Sequence, residues 1–500
     1  MPTSGVKPLP SQVPVVVVGA GFGGIAVAHD LRRAGIDHIV LERAERVGGT
    51  WRDNTYPGCA CDIPSQLYSL SWAPNPQWSR KFAPAAEIDA YLRAVAARER
   101  LADRLVTGVE VRSGHWSPAT ARWRLQTSSG EISCRVLVMA VGGLSEPNTP
   151  DIDGLADFPG PVLHTGRWDS NVSLDGLRVG VVGTGASAIQ LVPAIVDRVS
   201  SLTVFQRTPA WVFPRHDRRV PSWQRRLFSR WPSSQRIVRQ AQYWRRELVV
   251  HAMVSRLGLL ARAADQAKRR LAQQVPEEGL RAKLTPDYLP GCKRALLSDD
   301  FYPAVSRGNV AVTSALERLV GGVAVTVDGD RHELDALVLA TGFEVLPPPM
   351  ADRVFGVDGV SVATDWLNRG GAFLGLATAA APNLFWLTGP NTGLGGNSMI
   401  VMIEAQARYV AQAAAAALAG AAASVDAAEP LVLAVSPAVQ RRYTDWIDRR
   451  MADTVWQRGG CDSWYVDQNG RVAAIWPEQT WRYRRITRNF RIGPYQQEQP

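Results

Sequence analysis

The stretch Pro14-Val-Val-Val-Val-Gly-Ala-Gly-Phe-Gly-Gly24 decides the fold of this chain. Its run of valines predicts a buried parallel strand, because it is apolar and β-branched and shows no alternation. Gly19, Gly21 and Gly24 then match G-x-G-x-x-G, whose glycines permit a tight turn, a close approach to a pyrophosphate and close helix–strand packing. The helix that follows offers free N–H groups and a partial positive charge to the phosphate. The stretch therefore predicts a dinucleotide-binding turn.

The next predicted strand, residues 38–42, ends on a carboxylate, Glu42. It lies roughly 20 residues beyond the first glycine, where an acidic side chain accepts hydrogen bonds from ribose hydroxyls. A plain strand–helix turn with an exposed glutamate would show the same residues. The complete strand–helix–strand spacing favours the dinucleotide site.

A second unit of the same design spans residues 177–207. Its turn, Gly183-Thr-Gly-Ala-Ser-Ala188, is the G-x-G-x-x-A variant, so we expect Gly183, Gly185 and Ser187 at a second pyrophosphate. The following strand ends at Arg207-Thr208 without a carboxylate. An arginine there can pair with a 2′-phosphate, which a Glu or Asp would repel, so this site should prefer NADPH to NADH. The alternative for Arg207 is an ordinary surface charge.

Residues 211–294 differ in character from both units. They are rich in Arg and Trp and helical in pattern, and they predict a helical insertion. One hypothesis is that its basic, tryptophan-containing surface touches an anionic membrane. The other is a solvated basic face over a packed apolar stripe. Residues 1–12 are predicted to be a loose arm, residues 411–423 a packed helix, and residues 494–500 to be disordered.

Composition and charge limit the class of protein. A chain of 500 residues with 46% hydrophobic and 20% charged residues is long enough for several folded domains. The net charge of +10 favours anionic ligands such as dinucleotide phosphates. Without zinc-finger spacing or a Lys/Arg tail, we expect no nucleic-acid partner and no metal site. No apolar run reaches the ~18 residues of a membrane span, and we expect a cytoplasmic protein. The sequence predicts no particular oligomeric state.

The five cysteines, an odd and scattered set, do not suggest a disulfide framework and suit a reducing cytosol. A reductase that passes electrons to a disulfide needs a redox-active pair. The only close pair, Cys59-Ala-Cys61, lacks the C-x-x-C spacing. An NADPH dehydrogenase of this kind therefore stays an alternative without visible support.

Two further stretches are more specific than the glycine turns. Phe158-Pro-Gly-Pro-Val-Leu-His-Thr-Gly-Arg-Trp-Asp169 meets every fixed position of F-x-G-x-x-x-H-T-x-x-W-[P/D]. Gly48-Gly-Thr-Trp-Arg-Asp-Asn-Thr-Tyr-Pro-Gly58 continues to Asp62. Together with both turns in order, they resemble the Baeyer–Villiger monooxygenases, class B flavin-dependent monooxygenases, over almost the whole chain. Flavin monooxygenases that oxidise nitrogen or sulfur share this layout.

The resemblance implies roles for residues that match the family's motifs. Asp62 would be the carboxylate beside the flavin, and Arg294 the active-site arginine. Lys293 would pair with the NADPH 2′-phosphate, while Thr50 and Trp51 belong to the FAD-side motif.

The linker and the C-terminal part match the family as well. His164 and Trp168 would hold the domains in register. Ser463-Trp464-Tyr465 resembles the loop whose tryptophan, Trp464, closes over the nicotinamide cofactor. Ala340-Thr-Gly-Phe343 resembles the strand end that returns the chain to the FAD domain.

The resemblance implies an α/β fold with two Rossmann-like domains and a helical insertion. FAD would lie on residues 1–145 and 381–500, NADPH on residues 152–210 and 295–380, with residues 211–294 inserted between. The implied reaction inserts one oxygen atom of O2 next to the carbonyl of a hydrophobic ketone through a flavin peroxide, giving an ester or lactone. Arg294 would stabilise the peroxide anion and the oxyanion of the adduct, because guanidinium is always charged.

Two stretches depart from the best-known ketone-oxidising members. Ala295-Leu-Leu-Ser-Asp-Asp-Phe-Tyr-Pro303 differs after Arg294, and Gly389-Pro-Asn-Thr-Gly-Leu-Gly-Gly-Asn397 is richer in glycine. Both are expected near the substrate, so the substrate stays undetermined by sequence. N- or S-oxygenation by the same flavin chemistry is the first alternative.

Overall fold

Two separate β-sheets, each covered by helices, form the frame of the protein in the computed structural model, which describes residues 9–419 and 431–498. The first sheet has eight strands. Its central strand Gln12–Val18 pairs in parallel with its neighbours on both sides, with Val15 opposite His38 and Val18 opposite Met139. The strand order is Val354–Phe355, Val111–Ser117, Arg122–Thr127, Gly130–Met139, Gln12–Val18, His38–Leu41 and Leu105–Val106, with Leu384–Trp386 pairing Gly130–Met139 as a branch.

The helix Phe22–Arg33 begins directly after the first glycine turn and packs between the first sheet and a long C-terminal helix. Its apolar residues join a single buried core with the valines of the central strand. Arg32 and Arg33 stand in its last turn, where cations suit the helix dipole. The other helices of this half of the chain are Thr50–Asp53, Ala85–Arg98, Val362–Arg369 and Met399–Ala419, with short 3-10 turns at Leu101–Asp103, Pro118–Thr120, Pro349–Arg353 and Val357–Gly359.

The second sheet has five strands, all parallel, in the order Val310–Thr313, Ser201–Phe205, Arg178–Val182, Ala336–Leu339 and Val162–His164. Parallel strands buried on both faces need continuous apolar sequence, as Arg178–Val182 and Ala336–Leu339 have. The helices Ala188–Ile195 and Phe301–Val305 pack in its core. A small antiparallel sheet, Leu316–Val320, Val323–Thr326 and Arg331–Glu333, lies beside it.

The insertion is helical, as its sequence predicts. The chain enters and leaves the insertion through two short parallel strands that pair with each other, Val212–Phe213 and Leu296–Leu297. Its helices are Ser222–Arg230, Pro232–Ser255, Leu257–Gln274 and Glu278–Lys283. No helix within residues 9–419 and 431–498 is long and apolar enough to cross a membrane.

The C-terminal part differs from its sequence prediction. Residues from 494 onward were expected to be disordered, but Tyr495–Glu498 is a strand that pairs antiparallel with Val432–Val435. The hydroxyl of buried Tyr495 lies 3.1 Å from that of Tyr409, which anchors the strand to the helix Met399–Ala419. The expectation of a helix through residue 423 extends past residue 419, outside the described residues. The remaining helices are Pro437–Met451, Val455–Arg458 and Thr480–Ile486.

The boundary near residue 380 also differs from its prediction. Val354–Phe355 pairs with the first sheet through Gly114 and His115. Ala351, Val354 and Trp366 are buried in the core of that sheet. The chain therefore returns to the first unit before residue 354, because apolar side chains of this segment cover the face that the antiparallel strands leave open.

One disulfide joins distant parts of the chain, contrary to the expectation from the scattered cysteines. Cys292 bonds to Cys461 across a sequence separation of 169 residues. Cys59, Cys61 and Cys134 are free. The scattered spacing does not reveal the pair, because only the fold brings the end of the insertion beside the C-terminal loop.

Candidate functional site

The first glycine turn is packed so closely that Gly19 and Gly24 leave no room for a side chain. A Cβ on Gly24 would lie 1.8 Å from the carbonyl oxygen of Gly19, and one on Gly19 would lie 2.6 Å from that of Ala140. Gly19 also has φ +102°, which side chains rarely tolerate. The turn thus brings the start of the helix Phe22–Arg33 directly against the end of its strand. The free N–H groups of this helix start form the cradle that a pyrophosphate requires.

Glu42 lies against this turn and not in open solvent. The side chain is 4% exposed. Its Oε2 accepts a hydrogen bond from the backbone N–H of Ala20 at 2.8 Å, and its Oε1 accepts from Ala44 N–H and Arg52 Nη1, both at 3.0 Å. The carboxylate is therefore held at the mouth of the turn, where a ribose would lie.

The motif at residues 48–51 completes the same rim. Gly49, with φ +53°, faces Gly21 so closely that an added Cβ would lie 3.1 Å from the Gly21 Cα. Thr50 opens the short helix Thr50–Asp53, and its hydroxyl lies 3.5 Å from the Leu144 carbonyl oxygen. The indole N–H of Trp51 donates to the Tyr68 hydroxyl at 3.1 Å. Gly19, Gly21, Gly24, Glu42, Thr50 and Trp51 therefore converge on one site.

The second turn has the same frame, with a closely packed first glycine and an open second glycine. A Cβ on Gly183 would lie 2.8 Å from the Ala340 carbonyl oxygen, whereas Gly185 is exposed and has no atom within 4 Å of an added Cβ. Ser187 precedes the helix Ala188–Ile195. The hydroxyl of Thr184 donates to the Thr208 carbonyl oxygen at 3.0 Å, which fixes the strand end beside the turn.

Positive charge gathers at this second strand end. Arg207 is exposed, and Lys293 lies near enough to be affected by its charge. Burial and the nearby Arg207 both lower the pKa of Lys293. The two cations therefore lie near each other, with Asp462 and Asp287 opposing their effect on this pKa, and a phosphate dianion near both would be favourable.

Asp62 and Arg294 meet although 232 residues separate them. Arg294 donates Nε and Nη2 to the same oxygen of Asp62, Oδ2, at 2.9 Å and 2.6 Å. About a third of the Arg294 side chain (34%) and a quarter of the Asp62 side chain (25%) stay accessible. The pair is rigid yet open to a ligand.

The charges of this pair are set by each other. Burial alone would raise the pKa of Asp62, but the Arg294 guanidinium, with help from Arg246, holds it below its usual range. Asp62 in turn raises the pKa of Arg294, against the effect of burial. Burial raises the pKa of the neighbouring Tyr465 to about 12 and that of Cys59 to about 11. At pH 7 the site therefore presents the Asp62–Arg294 ion pair, with Arg246 near it, beside hydroxyl and thiol groups that stay neutral.

Gln190, on the helix after the second turn, connects the second unit to the segment that precedes Asp62. Its Oε1 accepts from the Tyr56 hydroxyl at 2.9 Å, and its Nε2 donates to the Ala60 carbonyl oxygen at 2.9 Å. The segment that leads to Asp62 is thereby fixed to the second unit. Sequence motifs did not indicate Gln190, because nothing local distinguishes it from a surface glutamine.

The C-terminal loop reaches the same region. Trp464 is 52% exposed and contacts the ring of Tyr465, so it is not part of a packed core. Tyr465 is buried near Arg294. The Cys292–Cys461 disulfide fixes this loop to the segment that carries Lys293 and Arg294.

The ring of the linker histidine, His164, is held by contacts on both of its nitrogen atoms. His164 ends the strand Val162–His164, and its Nδ1 accepts from the Gly166 N–H at 2.9 Å. Its Nε2 lies 3.3 Å from the Thr341 hydroxyl. Trp168 packs at the edge of the second core. These contacts support the predicted positioning role of both residues.

Sequence reasoning missed two arginines beside the Asp62 segment. Arg246, on the helix Pro232–Ser255, donates to the Asp62 carbonyl oxygen at 3.2 Å, and Arg215 donates to that of Cys61 at 3.0 Å. In the sequence both are among many basic residues of the insertion, and no motif marks them. Within the described residues, no group of three or more His, Cys, Asp or Glu side chains could hold a metal ion.

The fold and the two turns define a two-dinucleotide oxidoreductase. Residues 16–241 match the family model described as pyridine nucleotide-disulphide oxidoreductase. A Baeyer–Villiger monooxygenase of Streptomyces coelicolor is 45% identical over 98% of this chain and 93% of its own length. One from Pseudomonas aeruginosa is 39% identical over 96% and 90%.

Solved structures of monooxygenases have the same fold as this chain. A closed cyclohexanone monooxygenase superposes with a TM-score of 0.84 at 26% identity, covering 96% of this chain and 97% of its own. A steroid monooxygenase bound to NADP gives 0.82 at 28% identity, with the same coverage. The chain belongs to the Baeyer–Villiger monooxygenase family, and the predicted α/β fold with two Rossmann-like domains is confirmed.

Proposed function

We propose that this enzyme uses FAD, NADPH and O2 to insert one oxygen atom next to the carbonyl of a hydrophobic ketone, giving an ester or lactone. The observation that carries the proposal is the Asp62–Arg294 pair, which stays partly accessible in a chain that also has two dinucleotide-type turns. Family membership adds to it, since the relatives are monooxygenases by name.

The first turn fits FAD. Its close-packed glycines leave the helix start free for a pyrophosphate, and Glu42 is fixed where it can accept from a ribose. Thr50 and Trp51 lie on the same rim. We assign FAD to the first sheet, with residues 9–145, 349–419 and 431–498. This places the boundary before Val354 and not near residue 380.

The second turn fits NADPH. Gly183, Gly185 and Ser187 would hold the pyrophosphate, and Arg207, Thr208 and Lys293 the 2′-phosphate. A cyclohexanone monooxygenase from Rhodococcus sp. Phi1, 27% identical, was solved bound to NADP+. We assign NADPH to residues 152–210 and 295–345, with residues 211–294 as the insertion between them.

When bound, FAD supplies the oxygen chemistry and NADPH the hydride that reduces it. The protein's own part is charge and position. Arg294 stays cationic at any working pH and stabilises negative charge that develops on oxygen. Asp62 receives two hydrogen bonds from Arg294 and so fixes its direction. Trp464, exposed on its tethered loop, would cover the bound nicotinamide and exclude water.

Incubation of the purified holoenzyme with NADPH, labelled O2 and either 2-octanone or cyclohexanone tests the proposal. We expect one labelled oxygen atom in an ester or lactone, measured by gas chromatography and mass spectrometry. If thioanisole becomes sulfoxide while no ketone reacts, the enzyme is a heteroatom oxygenase. If NADPH is consumed and only hydrogen peroxide forms, it is not a monooxygenase of these substrates.

The cofactor assignment has its own test. Arg207→Ala and Lys293→Ala should each raise the KM for NADPH by about 10-fold, with little change in the KM for NADH. Arg262→Gln, an exposed arginine on the insertion, is the matched control. Equal effects on both cofactors would contradict a 2′-phosphate contact.

We also propose that the insertion touches acidic membrane surfaces from a cytoplasmic location. Ile237, Trp244 and Leu248 are 55–71% exposed and lie at helical spacing on the helix Pro232–Ser255, among exposed arginines. Flotation with phosphatidylserine vesicles at low salt should recover the enzyme, and Trp244→Ser with Leu248→Ser should abolish it. Recovery with neutral vesicles alone, or none, contradicts the proposal; cell fractionation tests the location.

A further inference from the structure

A cavity of about 570 Å³ opens between the first unit and the insertion. Its volume lies within the range typical of small-molecule sites. One wall comes from residues just after Asp62, beginning with Pro64, and the opposite wall from the helix Pro232–Ser255. None of the described residues that line it belongs to either glycine turn, and Glu42, Arg207 and Lys293 do not line it. The dinucleotide assignments therefore leave this space unused.

The cavity is strongly basic. One lining cation, Arg80, is paired with Asp217, which does not itself line the cavity. Further cations line it that form no ion pair with a carboxylate within the described chain: Lys81, Arg215, Arg218, Arg245 and Arg246. Collecting like charges without counter-charges destabilises a fold, so this excess indicates an anionic ligand.

The cations that line the cavity with Lys81 also act on its charge. Burial lowers the pKa of Lys81, and Arg245, Arg218 and Arg246 lower it further, in that order. Asp217 counteracts them only in part. Repulsion among these groups would be relieved by a bound negative charge.

The wall also has unsatisfied hydrogen-bonding groups. Arg215 Nε and Gln242 Oε1 are buried without a partner. An unpaired buried polar group costs free energy, and such groups are uncommon in native proteins. They add a second observation, independent of net charge, that this wall contacts a ligand.

The cavity adjoins the proposed reaction site. Arg246 lines the cavity and donates to the Asp62 carbonyl oxygen, and Arg215 does the same to Cys61. Apolar groups separate the cations and would suit a methylene chain: Pro64, Phe82, Pro214, Val220, Val249 and Leu297. One molecule can therefore place a carbonyl near Arg294 and an anionic end among the outer arginines.

We propose that this cavity binds the carboxylate end of the substrate, so that the natural substrate is an aliphatic oxo acid. This rests on the proposed ketone oxygenation. Arg218 and Arg245 determine this preference, because both are exposed and their guanidinium groups form no hydrogen bond or ion pair with the described residues. Arg215 and Arg246 lie deeper and act also on the Asp62 segment.

The test compares a matched pair, 9-oxodecanoic acid and 2-decanone, on the holoenzyme with NADPH. We expect kcat/KM to favour the oxo acid by about 10-fold or more, through a lower KM, since charge-assisted contacts to a remote group contribute uniform binding. High salt should reduce the ratio. Oxygenation of 2-decanone with a ratio near one would overturn the inference alone, whereas oxygenation of neither compound would overturn the proposed function.

Substitutions of the cavity arginines test which residues cause the preference for the oxo acid over 2-decanone. Arg218→Gln and Arg245→Gln should each lower the ratio, and Arg245→Glu should lower it most. Arg262→Gln, on the same insertion but outside the cavity, should leave it unchanged. A ratio insensitive to Arg218 and Arg245 would overturn the assignment.

Inhibition of 2-decanone oxygenation distinguishes a substrate subsite from a site that binds any anion. Octanoate should compete with 2-decanone, because it has both a chain and a carboxylate. Inorganic phosphate at the same concentration should not. Equal inhibition by phosphate would mean that the cavity binds free anions, and the substrate assignment would fall.

Discussion

At the scale of single residues, Arg294 has one carboxylate partner, Asp62, to which both of its hydrogen bonds go. The remaining N–H groups of its guanidinium can serve a reacting oxygen. The side chain therefore stays cationic at any working pH, since Asp62 raises the pKa of Arg294 by more than burial lowers it. Its removal should therefore affect chemistry more than folding.

We expect Arg294→Ala to lower ester formation by about 100-fold or more, because one preorganised donor to an oxyanion has an effect of this size. FAD content, read from its absorbance, should stay near that of the wild type. Arg294→Lys should be intermediate, since it keeps the charge and loses the planar fork. An Arg294→Ala enzyme with undiminished ester yield would remove Arg294 from the reaction.

The environment of His164 predicts a pH effect on stability. Burial, with a smaller contribution from Arg167, lowers its pKa below 6.5. The Gly166 N–H points at Nδ1, so protonation there would place two donors together. As pH falls below about 6.5, the unfolded chain takes up a proton before the folded protein does, and stability is lost.

Melting temperatures of the wild type and His164→Asn at pH 7.5 and pH 5.5 measure this. The wild type should lose more stability than the variant over this interval. The comparison between the two cancels groups that titrate in both. A larger loss in the variant would mean that His164 gains its proton in the folded state.

At the scale of elements, the glycines of the two turns differ in the space around them according to their position in the motif. Gly24 has a backbone oxygen 1.8 Å from where a Cβ would lie, whereas Gly185 has open space. Packing against the strand requires glycine at position 24, whereas only the approach of a ligand would require it at position 185. Substitution can separate these two requirements.

Gly24→Ala should reduce FAD occupancy and the melting temperature together, because the helix must move away from the strand. Gly185→Ala should keep the melting temperature of the apoenzyme and raise the KM for NADPH by about 10-fold, since the methyl group occupies the approach of the pyrophosphate. Thermal melts and steady-state kinetics measure both. An unaltered KM in a folded Gly185→Ala enzyme would contradict binding at this turn.

At the scale of the whole molecule, the insertion and the C-terminal loop are joined where the candidate site lies. Cys292 bonds to Cys461, and the Leu289 N–H donates to the Gly459 carbonyl oxygen at 2.9 Å. Arg294 follows one of these segments and Trp464 the other. The tether therefore limits how far the loop can move from the arginine.

Cys292→Ser and Cys461→Ser should each lower stability by roughly 2–4 kcal/mol, and the double variant by no more than either alone. The KM for NADPH should rise if Trp464 covers the nicotinamide. Dithiothreitol should bring the wild type to the level of the variants and leave the variants unchanged. Additive effects of the two substitutions would show that the cysteines act separately.

Local sequence determined the parts of the fold that depend on neighbours in the chain. Short-range rules of backbone shape and charge predicted the valine strand and the glycine turn after it. The same rules predicted the role of Glu42 at one strand end and of Arg207, in place of a carboxylate, at the other. For this reason the two Rossmann-like units and the helical insertion were predicted, with strand ends within a residue or two. The Asp62–Arg294 pair was implied by motif resemblance, not by spacing.

The tertiary structure alone decided what depends on residues far apart in sequence. The strand Val354–Phe355 joins the first sheet because a distant strand, Val111–Ser117, offers a free edge there. Cys292 meets Cys461 across 169 residues, and Tyr495–Glu498 becomes a strand only beside Val432–Val435. The basic cavity is likewise formed by segments 64–82, 214–224 and 242–249 together. Such contacts cannot be recognised in any one segment of the sequence, because each segment is fixed only by a partner that packing of the whole chain brings to it.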